Sequence, residues 1–372
     1  MIELGDLHQR TVLGAMLDAD LDAQPDTAHA LPEGTRLLDY EIVRLIGEGG
    51  FGIVYLAWDR VTKQHVAIKE YLPSVLASRA TTSQLVILKS RRHAEHFRSG
   101  LRSFMYEARL LARFNHPSLV KVLRFWELNG TAYMAMPYHE GPTLGAVLEG
   151  LGRPANEQEL RGWLKPLLDA LRNMHAVSCY HRDISPDNIL LTPGGPMLLD
   201  FGAARRVIGH IAQAPTVMIK PGFAPIEQYG DVASMKQGPW SDLYALAAVV
   251  YAAITGSTPV ASISRLAGEH LEPLAELAAG HYSASFLQAV DEALAVFPEN
   301  RPQSVADFQA RLDLEEAGDV GAAPPPGAPQ GWSDAMPERH PLQDQLAEHE
   351  QQQEQEQEQE QEQEQEQEQE QE

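Results

Sequence analysis

HRDISPDN occupies residues 181–188 and DFG follows at residues 200–202, and these two strings are the strongest indication of the fold. Toward the N-terminus, VAIK stands at residues 66–69 and GEGGFGIV at residues 47–54. Toward the C-terminus, APIE stands at residues 224–227. Each of these strings is a weak signal by itself, and their order along one chain gives them their weight.

The glycine-rich stretch joins two predicted strands. Residues 40–46 and 53–58 alternate between apolar and polar side chains, and residues 65–69 form a third short run of this kind. A glycine turn between antiparallel strands lacks the strand-to-helix setting of a dinucleotide-binding fold. Because glycine has no Cβ, such a hairpin can lie close to phosphate groups. The pattern predicts an antiparallel sheet with a phosphate-binding turn.

The rest of the chain changes from strands to helices near Pro137. Residues 97–114 are apolar at helical spacing, and residues 120–127 and 131–136 predict a hairpin about an Asn-Gly turn. Beyond residue 144 the apolar spacing is mostly helical. The clearest predicted helices are residues 157–176, 242–255, 285–294 and 305–312.

Together these motifs resemble the bacterial eukaryotic-like, or Hanks-type, Ser/Thr protein kinases. The resemblance runs from about residue 38 to about residue 314. It implies an α+β, two-lobed protein-kinase fold, with an antiparallel-sheet small lobe that covers ATP and a mainly helical large lobe. We expect an N-terminal extension (1–36), the small lobe (37–137), the large lobe (138–315) and a disordered Pro/Gly-rich linker with an acidic Gln/Glu repeat tail (316–372).

The resemblance also implies a role for each motif residue. Lys69 would hold the α- and β-phosphates of ATP, and an ion pair with Glu107 would orient it. Asp183 would accept or orient the proton of the substrate hydroxyl. Asn188 and Asp200 would hold Mg²⁺. ATP and Mg²⁺ are therefore expected.

The resemblance places the adenine between the lobes. Pro137, at the first position of the connection, has no N–H but keeps its carbonyl, and His139 would supply the N–H donor. In the large lobe, Asp242 would brace the catalytic loop, and Glu227 and Arg301 would form a buried pair. The nucleotide site would comprise Ile46, Gly47, Gly49, Gly52, Val54, Ala67, Lys69, Met136, Pro137, His139 and Leu190.

Two positions depart from the family pattern. Ser185 stands two residues after Asp183, where Ser/Thr kinases usually have Lys. Lys220 stands seven residues before Glu227, where they usually have Thr. Our hypothesis is an exchange, in which the Lys220 ammonium makes the γ-phosphate contact that Ser185 cannot make. The alternative is that Lys220 faces solvent and activity is reduced.

Thr216 is the expected regulatory residue. It is the one hydroxyl residue between Ala203 and Ala224, and it precedes Glu227 by eleven residues. By the resemblance, autophosphorylation of Thr216 would give Arg182 a phosphate partner and order the segment.

Composition limits the function classes. Lys plus Arg is 29 and Asp plus Glu is 52, for a net charge of −23, which disfavours nonspecific binding to nucleic acid or anionic membranes. The sequence has no signal-peptide pattern and no apolar run of about 18 residues, so it predicts a cytoplasmic protein without a membrane span. The long span between Lys69 and Glu107 is rich in Arg, and it predicts either a solvated basic loop and helix face or a surface for a partner.

Three functions remain open at this point. The first is a protein kinase that phosphorylates Ser and Thr of protein substrates and of itself, through a transient dimer. The second is a nucleotide-binding pseudokinase or scaffold, which Ser185 and Lys220 keep open. The third is a small-molecule kinase of the same fold, and the APIE string and the helix of Asp242 favour a protein substrate over it.

Overall fold

The first part of the described chain forms an antiparallel sheet. The computed structural model describes residues 30–80, 83–199, 220–229 and 235–313. The strands are β1 (Arg36–Leu37), β2 (Tyr40–Gly49), β3 (Gly52–Asp59), β4 (Gln64–Tyr71), β5 (Ala77–Arg79), β6 (Val86–Leu88), β7 (Arg124–Leu128), β8 (Thr131–Pro137), β9 (Ile189–Thr192) and β10 (Gly195–Leu198). The main sheet has the order β1-β2-β3-β4-β8-β7, while β5 pairs with β6 and β9 with β10.

The strands predicted from alternation are confirmed as β2, β3 and β4, and each is longer than predicted. Pairing continues to Gly49 and Gly52, where glycines show no side-chain alternation. The hairpin about Asn129 is also confirmed, but β7 begins at Arg124 rather than at residue 120. The reason is that the Val120 N–H donates to the Leu198 oxygen at 3.2 Å instead of joining the main sheet.

Helix α1 (Ala94–Leu111) packs on one face of the sheet. The ring of Tyr71 in β4 lies 5.1 Å from that of Phe97 and 5.9 Å from that of Phe104, centroid to centroid. Since side chains alternate along a strand, Lys69 shares this face with Tyr71, and Glu70 points to the opposite face. We call the face of Lys69 the inner face and the face of Glu70 the outer face.

The hairpin of β5 and β6 covers the outer face. Ala77 and Val86 are fully buried, and the Nη2 of Arg79 lies 2.5 Å from the Oε2 of Glu70. The prediction of a solvated loop after Lys69 is therefore wrong for residues 77–79 and 86–88, whereas residues 83–85 between them are exposed. Arg102 on α1 is exposed, as the prediction of a solvated helix face requires.

The second part of the described chain is mainly helical, and most of the helix predictions are confirmed within a few residues. Helix α4 is buried along nearly its whole length and forms the centre of this lobe. No helix in the described residues combines the length and apolar character needed to cross a membrane. These helices are α2 (Leu144–Leu151), α3 (Glu157–His175), α4 (Pro239–Thr255), α5 (Ser262–Leu266), α6 (Leu274–Leu277), α7 (Ala284–Ala293) and α8 (Val305–Arg311).

Candidate active site

A row of paired residues crosses the inner face of the sheet. Gly47 lies opposite Val54, and Val54 lies opposite Lys69. Lys69 in turn lies opposite Met134 of β8. Directly opposed residues point to the same face, so the structure brings the glycine hairpin, Val54 and Lys69 together.

The glycine hairpin leaves open space beside its backbone. A Cβ on Gly52 would lie 2.2 Å from the backbone oxygen of Glu70, so the protein itself requires glycine there. A Cβ on Gly47 would meet nothing within 4 Å, and one on Gly49 would meet only the Gly52 oxygen at 4.0 Å. The room at Gly47 and Gly49 fits a group, such as a phosphate, that approaches the backbone closely.

The tip of the hairpin is tied to the chain that follows Lys69. The Leu72 N–H donates to the Phe51 oxygen at 3.2 Å, and the Ser74 N–H donates to the Gly50 oxygen at 3.1 Å. These bonds fix the tip to the same segment that carries Lys69.

The predicted adenine residues line the edge of this face. Ala67 lies opposite Met136, and its side chain is half-buried. Ile46 falls at an irregularity in β2 and is 37 % exposed. An apolar residue that is left exposed beside an open glycine hairpin is consistent with contact to a flat apolar ring.

The chain that leaves β8 is fastened to the large lobe. The Leu191 N–H donates to the Pro142 oxygen at 2.9 Å, which brings β9 and the half-buried Leu190 to this connection. Pro137 and His139 lie half-buried along it. The predicted hinge residues and Leu190 therefore belong to one connected region.

The loop at residues 181–188 brings Asp183 and Asn188 into contact. The Asn188 Nδ2 donates to the Asp183 Oδ2 at 2.7 Å and to the Asp183 backbone oxygen at 2.6 Å. Both oxygens are acceptors, so the amide nitrogen faces Asp183 and the amide Oδ1 faces away from it. Amide oxygens are among the ligands that Mg²⁺ accepts, so an Asn188 side chain held by its nitrogen can offer its Oδ1 to a divalent cation.

Asp242 of α4 braces the start of that loop. Its carboxylate accepts the backbone N–H groups of His181 at 2.9 Å and Arg182 at 2.8 Å, and it lies 2.8 Å from the His175 Nε2. These bonds hold Arg182 at a φ of +66°, which is uncommon for a residue with a side chain. Burial favours the neutral acid, but hydrogen bonds from His175 and the loop outweigh burial and lower the pKa of Asp242. The predicted bracing role is confirmed.

Lys220 reaches the same loop from the segment before APIE. Its Nζ donates to the Ser185 Oγ at 2.6 Å and to the Asp187 Oδ2 at 3.3 Å. Ser185 is fully buried, whereas the Lys220 side chain is 30 % exposed. The two residues that depart from the family pattern are thus in direct contact, and Lys220 does not simply face solvent.

The family follows from a comparison with known proteins. The model of the protein kinase domain matches residues 40–304. This chain belongs to the protein kinase family. The fold described above, a sheet-rich small lobe and a helical large lobe, confirms the fold that the motifs predicted.

Two of the named relatives of this chain are bacterial proteins. The chain is 30 % identical over 310 residues to the serine/threonine-protein kinase PknK of Mycobacterium tuberculosis, covering 80 % of this chain and 25 % of PknK. It is 35 % identical over 230 residues to PknA of the same species, covering 60 % of this chain and 48 % of PknA. The chain thus spans a quarter to a half of the length of these relatives.

One solved structure is similar to this chain over the full length of that structure. PpkA-294 in its apo form is 44 % identical, with a TM-score of 0.70, over 77 % of this chain and 100 % of that chain. The kinase domain of Mycobacterium tuberculosis PknI is 23 % identical with a TM-score of 0.58, and it supports the fold alone.

Glu107 lies on the buried side of α1. The residue is 3 % exposed, and α1 packs against the inner face that carries Lys69. A buried carboxylate requires a cationic or hydrogen-bonding partner, which is what an ion pair with Lys69 would provide. The contact between these two side chains stays a prediction.

Asp200, Phe201 and Thr216 lie outside the described residues, and so does the predicted acidic tail. The last described residue before Asp200 is Leu199, whose N–H donates to the Asn188 oxygen at 2.8 Å. The Leu199 oxygen lies 2.8 Å from the His181 Nε2. Leu199, which precedes Asp200 in the sequence, is therefore held against the catalytic loop.

The structure adds residues that sequence reasoning missed. The Gln228 Nε2 donates to the Arg182 oxygen at 3.2 Å, and its place directly after APIE was an available signal. His175, which contacts Asp242, ends a predicted helix and gave no signal. Glu70 and Arg79 form a buried pair on the outer face that no motif predicts.

Proposed function

We propose that this chain is an ATP-dependent protein kinase that transfers the γ-phosphoryl group of ATP to Ser and Thr hydroxyls of proteins, itself included. The contact between Asp183 and Asn188 carries the proposal, because one loop then presents a base and a metal-ligating amide together. Family membership and the names of the relatives support the same reaction.

The small lobe would bind the nucleotide. Lys69 would hold the α- and β-phosphates, oriented by Glu107, while the open backbone at Gly47 and Gly49 would lie over the phosphates. The Pro137 carbonyl and the His139 N–H would meet the adenine edge. The adenine would lie among Ile46, Val54, Ala67, Met136 and Leu190, with Gly52 closing the hairpin.

The large lobe would carry out the transfer. Asp183 would orient the substrate hydroxyl and take its proton while the new P–O bond forms and the bond to the ADP oxygen breaks. Asn188 and Asp200 would hold Mg²⁺, which when bound neutralises charge on the phosphates. The protein would act in the cytoplasm.

Regulation would pass through Thr216. We propose its phosphorylation by a second copy of the chain in a transient dimer, with Arg182 pairing with the phosphate. The Nε of Arg182 is buried and has no hydrogen-bond partner among the described residues, and a phosphate on Thr216 would supply the partner that a buried donor needs.

The test is phosphate incorporation with Mg²⁺ and ATP, followed by mapping of phosphosites by mass spectrometry. Asp183→Asn should lower incorporation at least about 100-fold, since it removes the base. Asp39→Asn is the matched control, because it makes the same change at a carboxylate that is 54 % exposed and remote from the loop. We expect phosphate on Thr216 of the wild-type chain and of the control.

Other outcomes would contradict parts of the proposal. Bound ATP without incorporation in any variant would favour the pseudokinase. Equal incorporation in wild type and Asp183→Asn would remove Asp183 from the mechanism. Incorporation that spares Thr216 would keep the kinase and remove the regulatory step.

A further inference from the structure

We infer that Lys220 contacts the γ-phosphoryl group during transfer, in place of a lysine on the catalytic loop. The inference rests on the proposed kinase function and adds a substrate-contacting residue to it. It starts from the contact at 2.6 Å between the Lys220 Nζ and the Ser185 Oγ. Ser185 is two residues from Asp183 in the same loop.

Ser185 is built into the turn that presents the reacting groups. Its backbone oxygen accepts the Asn188 N–H at 3.0 Å, and its side chain is fully buried. A buried hydroxyl needs a hydrogen-bond partner, and the Lys220 ammonium supplies it. The ammonium is therefore held against the turn that connects Asp183 with Asn188.

The position of Lys220 is fixed by its own segment. Its backbone oxygen accepts the N–H groups of Phe223 at 3.1 Å and Ala224 at 3.2 Å. Gly222 has a φ of +89°, and a Cβ there would lie 2.8 Å from the Pro259 oxygen, so this turn fits closely against the large lobe. Lys220 thus stands on a turn that is packed in place.

The ammonium keeps capacity for a substrate. A lysine has three N–H donors, and in the described part of the chain Lys220 donates to Ser185 and Asp187. One donor remains, and the side chain is 30 % exposed. Arg182 is the neighbouring cation on the loop, but its guanidinium lies over the Tyr180 ring at 5.7 Å. Among the described residues, Lys220 is therefore a cation that is held at the loop of Asp183 with a donor left to meet negative charge.

Developing charge on the phosphoryl oxygens must be met by preorganised donors, and loss of one such donor typically costs about 100- to 1,000-fold in rate. Lys220→Met should lower kcat by about this factor while the Kd for ATP changes less than about threefold, because Lys69 and the glycine hairpin would bind ATP. Lys220→Gln keeps a hydrogen-bond donor for Ser185 but removes the charge. It should lose as much rate as Lys220→Met.

The sharpest test moves the lysine from position 220 to position 185. Lys220→Thr alone should have a low kcat. The double variant Ser185→Lys/Lys220→Thr should have a kcat at least about tenfold higher than that of Lys220→Thr. Truncation at position 220 opens the space that a lysine at position 185 needs. Lys236→Met, a change at an exposed lysine of the same lobe, is the control and should keep the wild-type rate.

Each outcome separates the inference from the proposed function. A wild-type rate in Lys220→Met or Lys220→Gln would overturn the inference and leave the kinase intact. The inference would also be overturned if the double variant transferred phosphate no faster than Lys220→Thr while the two variants had equal thermal stability. Absence of transfer by the wild-type chain, with ATP bound, would instead overturn the proposed function.

Discussion

Each lobe buries an Arg–Glu ion pair, and the two pairs are built differently. In the large lobe, Arg301 donates to both carboxylate oxygens of Glu227, at 2.7 and 3.1 Å. In the small lobe, Arg79 donates to the Glu70 Oε2 at 2.5 Å, and the Tyr55 hydroxyl donates to the same oxygen at 2.7 Å. The large-lobe pair is bidentate, whereas the small-lobe bonds converge on a single oxygen.

The large-lobe pair belongs to a wider hydrogen-bond network. Arg301 also donates to the backbone oxygens of Ala295 at 2.7 Å and Val296 at 2.6 Å. The Ser241 hydroxyl donates to the Glu227 Oε1 at 2.7 Å. Removal of this pair would leave several buried polar groups unsatisfied, which costs more than the loss of the bonds themselves.

Each pair also stands beside a lysine of the proposed site. Glu70 directly follows Lys69, and Glu227 ends the segment that Lys220 begins. Since side chains alternate, a shift of β4 by one residue would move Glu70 to the inner face and Lys69 to the outer face. The difference between the pairs indicates two structural roles. The small-lobe pair fixes the register of β4, and the large-lobe pair fixes the path of the segment from Lys220 to Glu227.

The largest effect should come from breaking the large-lobe pair. Arg301→Met leaves the Glu227 carboxylate buried without its cation, and it should lower the free energy of unfolding by about 3–5 kcal/mol in urea titration. Arg311→Met is the matched control, because Arg311 pairs with Asp307 at a side chain that is 41 % exposed. The control should lose less than about 1 kcal/mol. Similar losses of unfolding free energy in Arg301→Met and Arg311→Met would contradict the idea that burial of the Arg301 pair makes it the more important one.

The small-lobe pair should tolerate joint replacement, and this sharpens the comparison. Glu70→Leu or Arg79→Met alone should cost about 3 kcal/mol, because each leaves one buried charge unpaired. The double variant removes both charges, so it should return to within about 2 kcal/mol of wild type, the rest being the cost of the partners that the Tyr55 hydroxyl and the Gln84 oxygen lose.

The same double exchange at Glu227 and Arg301 should recover less, because the Ser241 hydroxyl and two backbone oxygens all lose a partner. Urea titration of the three variants at each pair gives the two coupling energies. Equal recovery of the unfolding free energy in both double variants would show that the wider hydrogen-bond network around Glu227 and Arg301 does not add to stability.

The two pairs also differ in whether they could be predicted from the sequence. Glu227 and Arg301 lie in motifs, so the resemblance to kinases predicted their pairing. Glu70 and Arg79 meet only because β5 and β6 fold over the outer face. Each of those strands has three residues, too few to show an alternating pattern.

The candidate site also has a part that could be predicted from the sequence and a part that could not. The order of the motifs predicted the residues on the inner face and in the catalytic loop. The two departures, at positions 185 and 220, allowed the hypothesis of an exchange. Their contact could not be read from the sequence, because 35 positions separate the two residues and the path between them depends on the fold.

The smallest effect should come from the Tyr55 hydroxyl, which extends the small-lobe pair. It donates to Glu70 and accepts the Leu31 N–H at 3.0 Å. Tyr55→Phe keeps the ring but leaves that buried N–H and one lone pair of Glu70 without a partner. The expected loss is about 1–2 kcal/mol.

The amide of Leu31 gives this change a local measurement. Hydrogen exchange at Leu31 should become faster in Tyr55→Phe, while Tyr106→Phe, at a side chain on α1 that is 51 % exposed, should change neither exchange nor stability. Faster exchange with Arg79 still in place would mean that the hydroxyl, and not the ion pair, holds the chain at Leu31 against the sheet. Unchanged exchange would instead assign that chain to apolar burial, since Leu31 is only 4 % exposed.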